Sequence, residues 1–285
     1  MKYMIISKKQ MIIFFAMLLV VSIGILAGIE SISIITAAPK RKLPIYSVHT
    51  QNKVASLSFD AAWGNEDTEQ LINILQKYNV KATFFVVGEW VDKYPESVKA
   101  ISDAGHEIMN HSDKHPHMPE LSREAMIKEI TSCNDKIEQI TGKRPTLFRP
   151  PYGDYNNTLI EVLESLNQYC IQWDVDSLDW KDLSAPDITT RVISKTKSGS
   201  IILFHNAAKH TPEALPSIIE QLQSNGYNLV PISAIIIKDK YTIDHTGKQY
   251  PADENLEVIN NINEEKKELE TVDSMYEYYE DRISE

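Results

Sequence analysis

Short apolar runs alternate with segments carrying a single apolar stripe through the centre of this chain. Residues 54–59, 82–87, 106–109, 147–149, 169–173, 200–204 and 227–230 are compact and mostly apolar, the pattern of buried strands. Between them, residues 67–78, 95–103, 122–140, 156–166, 186–196 and 211–224 repeat their apolar positions with helical spacing, as Leu71, Ile74 and Leu75 do. Terminal signals agree with that reading. Pro95 opens one helix and Gly105 follows it, Ser122 opens the longest and Gly142 closes it, and Thr211-Pro212 opens the last. Strands that alternate with helices imply parallel pairing with helical crossovers, as an open doubly wound sheet or a closed barrel.

The polar residues favour the barrel. Asp60, His111, Arg149, Asp176 and His205 each fall at or just past the C-terminal end of a predicted strand. A parallel barrel gathers those ends on one face, where active sites are built, whereas an open sheet spreads them along an edge.

The flanks differ in character. Residues 11–29 are almost wholly apolar and follow Lys2, Lys8 and Lys9, so they are expected to span the cytoplasmic membrane with the rest of the chain exported. Thr36-Ala37-Ala38 resembles a cleavage site, which would release the chain after Ala38, but the apolar stretch exceeds the roughly 7 to 15 residues of a cleavable signal core and reads as a retained anchor. The expected organisation is a signal peptide or anchor over 1–38, a proline-bearing linker over 39–51, one domain over 52–238 and an acidic, mostly disordered tail over 239–285. Most of the net charge of −11 lies in that tail. The body is near neutral and lacks clustered Lys and Arg, which excludes a nucleic-acid partner. Cys133 and Cys170, the only cysteines, lie in a helix pattern and a strand pattern and read as two separate buried thiols.

His111 and His115, four residues apart, suit one metal ion, and Pro116 and Pro119 place them in a loop rather than on a helix. The spacing alone leaves a surface hydrogen-bonding pair open as well, and imidazoles suit zinc, cobalt, nickel or iron. Arg149 at another strand end can pair with Asp60 and keep it ionised as a base. Asp176 or Asp179 can hold His205 protonated as a general acid. A base and an acid from different strands are what amide hydrolysis needs.

The ordered set Ser58-Phe59-Asp60, His111-Ser112-x-x-His115, Arg149-x-Pro151-Tyr152-Gly153, Asp176-x-x-Asp179-Trp180 and Leu203-x-His205 resembles the five motifs of the polysaccharide deacetylases, carbohydrate esterase family 4. Ala82-Thr83-Phe84-Phe85-Val86 and Gly88 match the family's second strand, and the resemblance runs from about Lys53 to Ile232. Phe59-Asp60-Ala61-Ala62-Trp63-Gly64 is similar to the branch found in spore-forming bacteria.

The resemblance implies an α/β fold, a distorted, TIM-like (β/α)7 barrel. The implied activity is removal of N-acetyl groups from peptidoglycan or a chitin-like glycan with a divalent metal, zinc above all and cobalt as an alternative. Residue by residue, it makes His111 and His115 metal ligands, Asp60 the base, Arg149 its orienting partner and His205 the acid, tethered by Asp179 with Asp176 as second choice. The backbone N–H of Tyr152 would serve the oxyanion hole, Trp180 would wall the sugar groove and Leu203 would line the acetyl pocket. The implied partners are the cell-wall glycan and, through the apolar segment, the cytoplasmic membrane, with the chain acting as a monomer.

One position departs from the family. An aspartate that completes a two-His, one-Asp metal site usually follows the base, and here that residue is Ala61. Glu66, Asp67, Asp113, His117 or Asp60 itself are the substitutes within reach of the sequence. The same departure leaves a non-catalytic, glycan-binding pseudo-deacetylase as the alternative.

Overall fold

The computed structural model describes residues 7–9, 11–19 and 41–252. Two compact units divide the chain, Met1–Arg41 and Lys42–Glu285. In the first, residues 8–9 and 11–19 are helical. Among the described residues no helix is long and apolar enough to cross a membrane. The remainder of the expected anchor and the cleavage motif lie outside the described residues, as does the tail beyond 252.

The second unit is an α/β fold whose strands join in one sheet. In chain order they are β1 (Ser47–Val48), β2 (Val54–Ala61), β3 (Thr83–Val86), β4 (Glu107–Asn110), β5 (Leu147–Phe148), β6 (Tyr169–Cys170), β7 (Val175–Asp176), β8 (Ser200–His205), β9 (Asn228–Leu229), β10 (Tyr241–Ile243) and β11 (Lys248–Pro251). The sheet runs β10-β11-β1-β8-β2-β3-β4-β5-β6, with β7 paired to β8 and β9 to β2. From β8 through β6 the pairs are parallel, as helical crossovers require. The sheet curls into a half-barrel, and an isolated parallel bridge joins Ile45 to Ile171 beyond β6.

Strand alternation sorts the side chains into two layers. Leu57 and Phe59 of β2, Phe84 of β3 and Phe204 of β8 pack with Leu71, Ile101, Val192 and Ile218 of the helices. Phe59 stacks on Phe84 and Phe204 at 4.9 and 5.5 Å between ring centroids. Phe85 and Ile201 turn to the other face and pack with Ile45, Leu147 and Ile171. Ser56, Ser58 and Asp60 alternate with the apolar residues of β2 and are also buried. That second face is therefore apolar at one end and polar toward the C-terminal ends of the strands.

Helices fill the expected segments, at Thr68–Lys77, Pro95–Asp103, Arg123–Thr141, Asn157–Ser165, Ala185–Lys195 and Thr211–Ser224. Ser122 caps the longest by accepting from the Ala125 N–H, and Gly142 ends it in the left-handed conformation. Two short strands carry no readable periodicity: β1 lies inside the segment expected to be linker, and β7 inside a loop. The tail expected from residue 239 instead begins with β10 and β11, an antiparallel pair joined to β1. Gln249 and Tyr250 are buried and the other residues half-exposed, but polar residues interrupt both strands, so they lack the apolar run by which the other strands are read. Cys133 and Cys170 are both buried and free.

Candidate active site

β2 and β8 run side by side in parallel register, with Asp60 opposite His205 at their C-terminal ends. His111 directly follows β4 and Arg149 directly follows β5, so four strand ends deliver four ionisable side chains to one place. A cavity of about 430 Å³ opens there, lined among others by Asp60, His111, His115, Tyr152, Trp180 and His205. Asp176 and Leu203 line it too.

Arg149 has no exposed surface, and both of its terminal nitrogens are hydrogen-bonded while its buried Nε is not. Its Nη1 donates to Asp60 Oδ1 at 2.8 Å, and its Nη2 donates to Ser58 Oγ at 2.9 Å and to the Gln172 carbonyl at 3.2 Å. The guanidinium lies over the Phe85 ring, 4.1 Å from its centroid. Burial pushes the Asp60 carboxyl up, but the charges of Arg149, His111 and His205 outweigh it and hold Asp60 below the ordinary carboxylate value. Asp60 is thus an ionised base buried in a polar nest.

His205 is set the opposite way. Its Nδ1 lies 2.8 Å from Asp179 Oδ1, while Asp179 Oδ2 accepts from the His205 backbone N–H at 2.8 Å and from Thr211 Oγ1 at 2.7 Å. Burial lowers the imidazole's proton affinity, yet the hydrogen bond and charge of Asp179, with Asp60 and Asp176 behind them, raise it above the ordinary histidine value. Asp179 is therefore the carboxylate on His205. Asp176 lines the cavity but spends Oδ1 on the Leu178 backbone N–H.

The two loop histidines are tuned to neutrality. His111 Nδ1 is 2.7 Å from the Arg149 carbonyl, which can only accept, so Nδ1 carries the hydrogen and Nε2 keeps its lone pair. That Nε2 lies 3.6 Å from Asp60 Oδ2. Burial holds His111 below its ordinary value against the pull of Asp60. Burial and the neighbouring His111 bring His115 down to about 4. The rings meet edge to face at 4.9 Å. His115 itself adopts a left-handed φ of 58°, Ser112 one of 69° and Tyr152 one of 60°. Such backbone is sparsely populated by non-glycine residues and collects at functional sites.

Two neutral imidazoles with a carboxylate oxygen beside them fit a divalent metal by donor chemistry. The third protein position does not fit. Ala61 is buried within the helix-side core beside Val86 and Val87 and offers no donor. Three of the named substitutes are engaged elsewhere: Asp113 Oδ1 meets Lys136 Nζ at 2.6 Å, Asp67 Oδ2 accepts from the Ala207 N–H, and His117 stacks on Tyr152 with Nδ1 against Asp154. Among the described residues no three such side chains group to hold an ion.

Ser58, Gln172, Thr211 and Asn206 belong to the site without having been assigned a part in it from the sequence. The alternation of Ser56, Ser58 and Asp60 along β2 was the available signal for Ser58, since it marks a polar face within a buried strand. For the other three no local pattern exists, because each meets a partner distant in sequence: the Gln172 carbonyl accepts from Arg149, Thr211 donates to Asp179, and Asn206 bonds the backbone at Ala62 and Trp63.

Comparison with known proteins agrees with this geometry. A model of the family "Polysaccharide deacetylase" matches residues 47–171. The Bacillus subtilis peptidoglycan-N-acetylmuramic acid deacetylase PdaC is 38% identical over 66% of this chain and 40% of its own length. A Bacillus cereus peptidoglycan-N-acetylglucosamine deacetylase is 33% identical over 65% of this chain and 69% of its own length. The crystal structure of the Bacillus anthracis protein BA3943, described as a CE4 family pseudoenzyme, superposes with a TM-score of 0.66 at 34% identity, covering 68% of this chain and 69% of that one. This chain spans only 60% and 40% of two of the curated relatives it matches. It belongs to the polysaccharide deacetylase family.

Proposed function

We propose that this chain is a hydrolase that removes N-acetyl groups from the sugars of peptidoglycan, anchored outside the cytoplasmic membrane by its N-terminal apolar segment and acting as a monomer. One observation carries the reading: Asp60, kept ionised by Arg149, and His205, kept protonated by Asp179, face one cavity from opposite positions on β2 and β8. The names of the Bacillus relatives support the choice of glycan.

In this reading Asp60 takes a proton from the attacking water as the water oxygen bonds to the acetyl carbonyl carbon. His205 then delivers a proton from Nε2 to the amide nitrogen as the C–N bond breaks, leaving acetate and a free amine. The Tyr152 backbone N–H, turned at the cavity wall, would stabilise the developing oxyanion. Trp180 would flank the sugar, and Leu203 the acetyl methyl. His111 and His115 would hold a divalent metal, zinc or cobalt, which when bound supplies Lewis acidity and lowers the pKa of water.

Ala61 favours a second reading, a glycan-binding protein without turnover. The site lacks the donor that the family pattern places there, and BA3943, a solved relative at comparable identity, is described as a pseudoenzyme whose mutant regained activity. The readings separate on acetate release. The full chain, loaded in turn with zinc and cobalt, is expected to release acetate from peptidoglycan or chitooligosaccharides. Glycan binding with no acetate under any loading would establish the second reading.

A further inference from the structure

Every backbone N–H from His111 to His115 has a partner. His111 donates to the Val86 carbonyl at 3.0 Å, Ser112 to Asn110 Oδ1 at 2.7 Å and His115 to Ser112 Oγ at 2.9 Å. The two between them, Asp113 and Lys114, converge on a single atom, Glu129 Oε2, at 3.0 and 2.9 Å. Glu129 is half-buried on the helix Arg123–Thr141 and belongs to none of the five motifs. One carboxylate oxygen from another element thus organises the middle of the histidine loop.

The loop needs that support. Ser112 and His115 both hold left-handed backbone, which non-glycine residues keep only where their surroundings over-determine it. On one side the N–H groups of Gly88 and Glu89 donate to the carbonyls of Ser112 and Asp113, each at 2.9 Å, and a Cβ on Gly88 would collide with Asp113. The long helix holds the other side. Asn134 Oδ1 accepts from Asn110 Nδ2 at 2.7 Å, and Lys136 Nζ meets Asp113 Oδ1 at 2.6 Å. Of the helix's contacts, the two to Glu129 fix the backbone that leads directly into His115.

Two imidazoles can share one ion only if both rings are aimed at it, and His115 is aimed by a strained turn. Its ring centroid stands 4.9 Å from that of His111. We infer that Glu129 is a positioning residue for this pair: its carboxylate fixes the turn that sets His115 beside His111 in the arrangement a divalent metal requires. Groups that orient ligands in this way govern metal affinity without touching the metal. The inference rests on the metal-dependent reading above.

The test is metal binding rather than turnover. Titrate the metal-free full chain, in mild detergent, with zinc by calorimetry beside Glu129→Ala, Glu129→Gln and Glu129→Asp, and record the metal-free melting temperature of each. Glu129→Ala is expected to weaken zinc by about 10- to 100-fold, the usual loss when a group supporting a metal ligand is removed. Glu129→Gln keeps an oxygen that can accept both N–H groups and should stay within about threefold of the parent. Glu129→Asp keeps the charge but withdraws it by one methylene, and should lose affinity as the alanine does; this contrast with Gln carries the test if Glu129→Ala does not fold. A lower melting temperature with unchanged zinc affinity in Glu129→Ala or Glu129→Asp would overturn the inference, and so would a Gln variant as weak as the Asp variant. Either result leaves the proposed function intact. A parent chain that binds no zinc would overturn this role together with the metal in that proposal.

Discussion

Asp60 and His205 sit opposite each other on adjacent parallel strands, and their surroundings shift their proton affinities in opposite directions, down for the carboxyl and up for the imidazole. Each has its own fixed partner, Arg149 for the carboxylate and Asp179 for the imidazole. The range of pH over which an ionised carboxylate and a protonated imidazole coexist is thereby widened at both ends.

The Arg149 pair is structural as well as chemical. Removing one member of a buried ion pair leaves the other charge uncompensated, so Arg149→Met is expected to cost about 3–5 kcal/mol of folding stability. Arg149→Lys should recover only part of this, because one ammonium cannot replace two guanidinium nitrogens that reach Asp60, Ser58 and Gln172 together. Urea unfolding of the three proteins decides it; a loss under about 1 kcal/mol in Arg149→Met would contradict the burial argument.

Under the proposed hydrolysis, Asp179 is expected to set the alkaline edge of activity. It raises the proton affinity of His205, so activity that needs protonated His205 is retained to higher pH and falls as pH rises past the raised pKa. Asp179→Asn removes that charge, and the alkaline limb of acetate release should move to lower pH. An unmoved limb would assign it to another group. Asp176→Asn should shift it less, since Asp176 acts on His205 only through its charge.

Ala61 faces the apolar core, which gives restoration of a ligand there a thermodynamic signature. In Ala61→Asp the new carboxylate is buried without a partner, and the metal-free protein should lose about 1–3 kcal/mol. Zinc should return that loss and bind at least about tenfold more tightly than to the parent. Calorimetric titration together with thermal unfolding reads both effects; destabilisation that zinc leaves untouched would show that residue 61 cannot reach the ion.

His106 supplies a pH test away from the site. It is buried, its Nδ1 accepts the Ala82 N–H at 3.2 Å, and burial, aided by Lys81, brings its pKa down to about 4. The unfolded chain takes up this proton near 6.5, before the folded one does. Stability is therefore full above about 6.5 and declines as pH falls toward about 4. His106→Asn, which keeps an acceptor and removes the titration, should lessen the decline between pH 7 and 5. An identical slope would exclude His106 as its source.

Much of this arrangement is legible in the sequence because strand ends are local features. Asp60, His111, Arg149 and His205 each follow an apolar run, and five ordered motifs make their convergence readable. The choice between Asp176 and Asp179 is not local. Asp176 ends β7 and Asp179 opens the turn that follows; Leu178 between them has a φ of 56°, and it is Asp179 that reaches His205 and Thr211. Ala61 is readable as a missing ligand, whereas its packing among apolar side chains emerges only from the fold. β10 and β11 escape notice because short strands interrupted by polar residues carry no apolar signature.

In the proposed reading Asp60 and His205 perform amide hydrolysis despite Ala61. The most direct measurement treats one purified peptidoglycan with the full zinc- or cobalt-loaded chain and with Asp60→Asn, and follows deacetylated sugars by mass spectrometry. Free amines are expected with the parent, and a loss of about 10²-fold or more with Asp60→Asn. Bound peptidoglycan that remains fully acetylated with both proteins would contradict it.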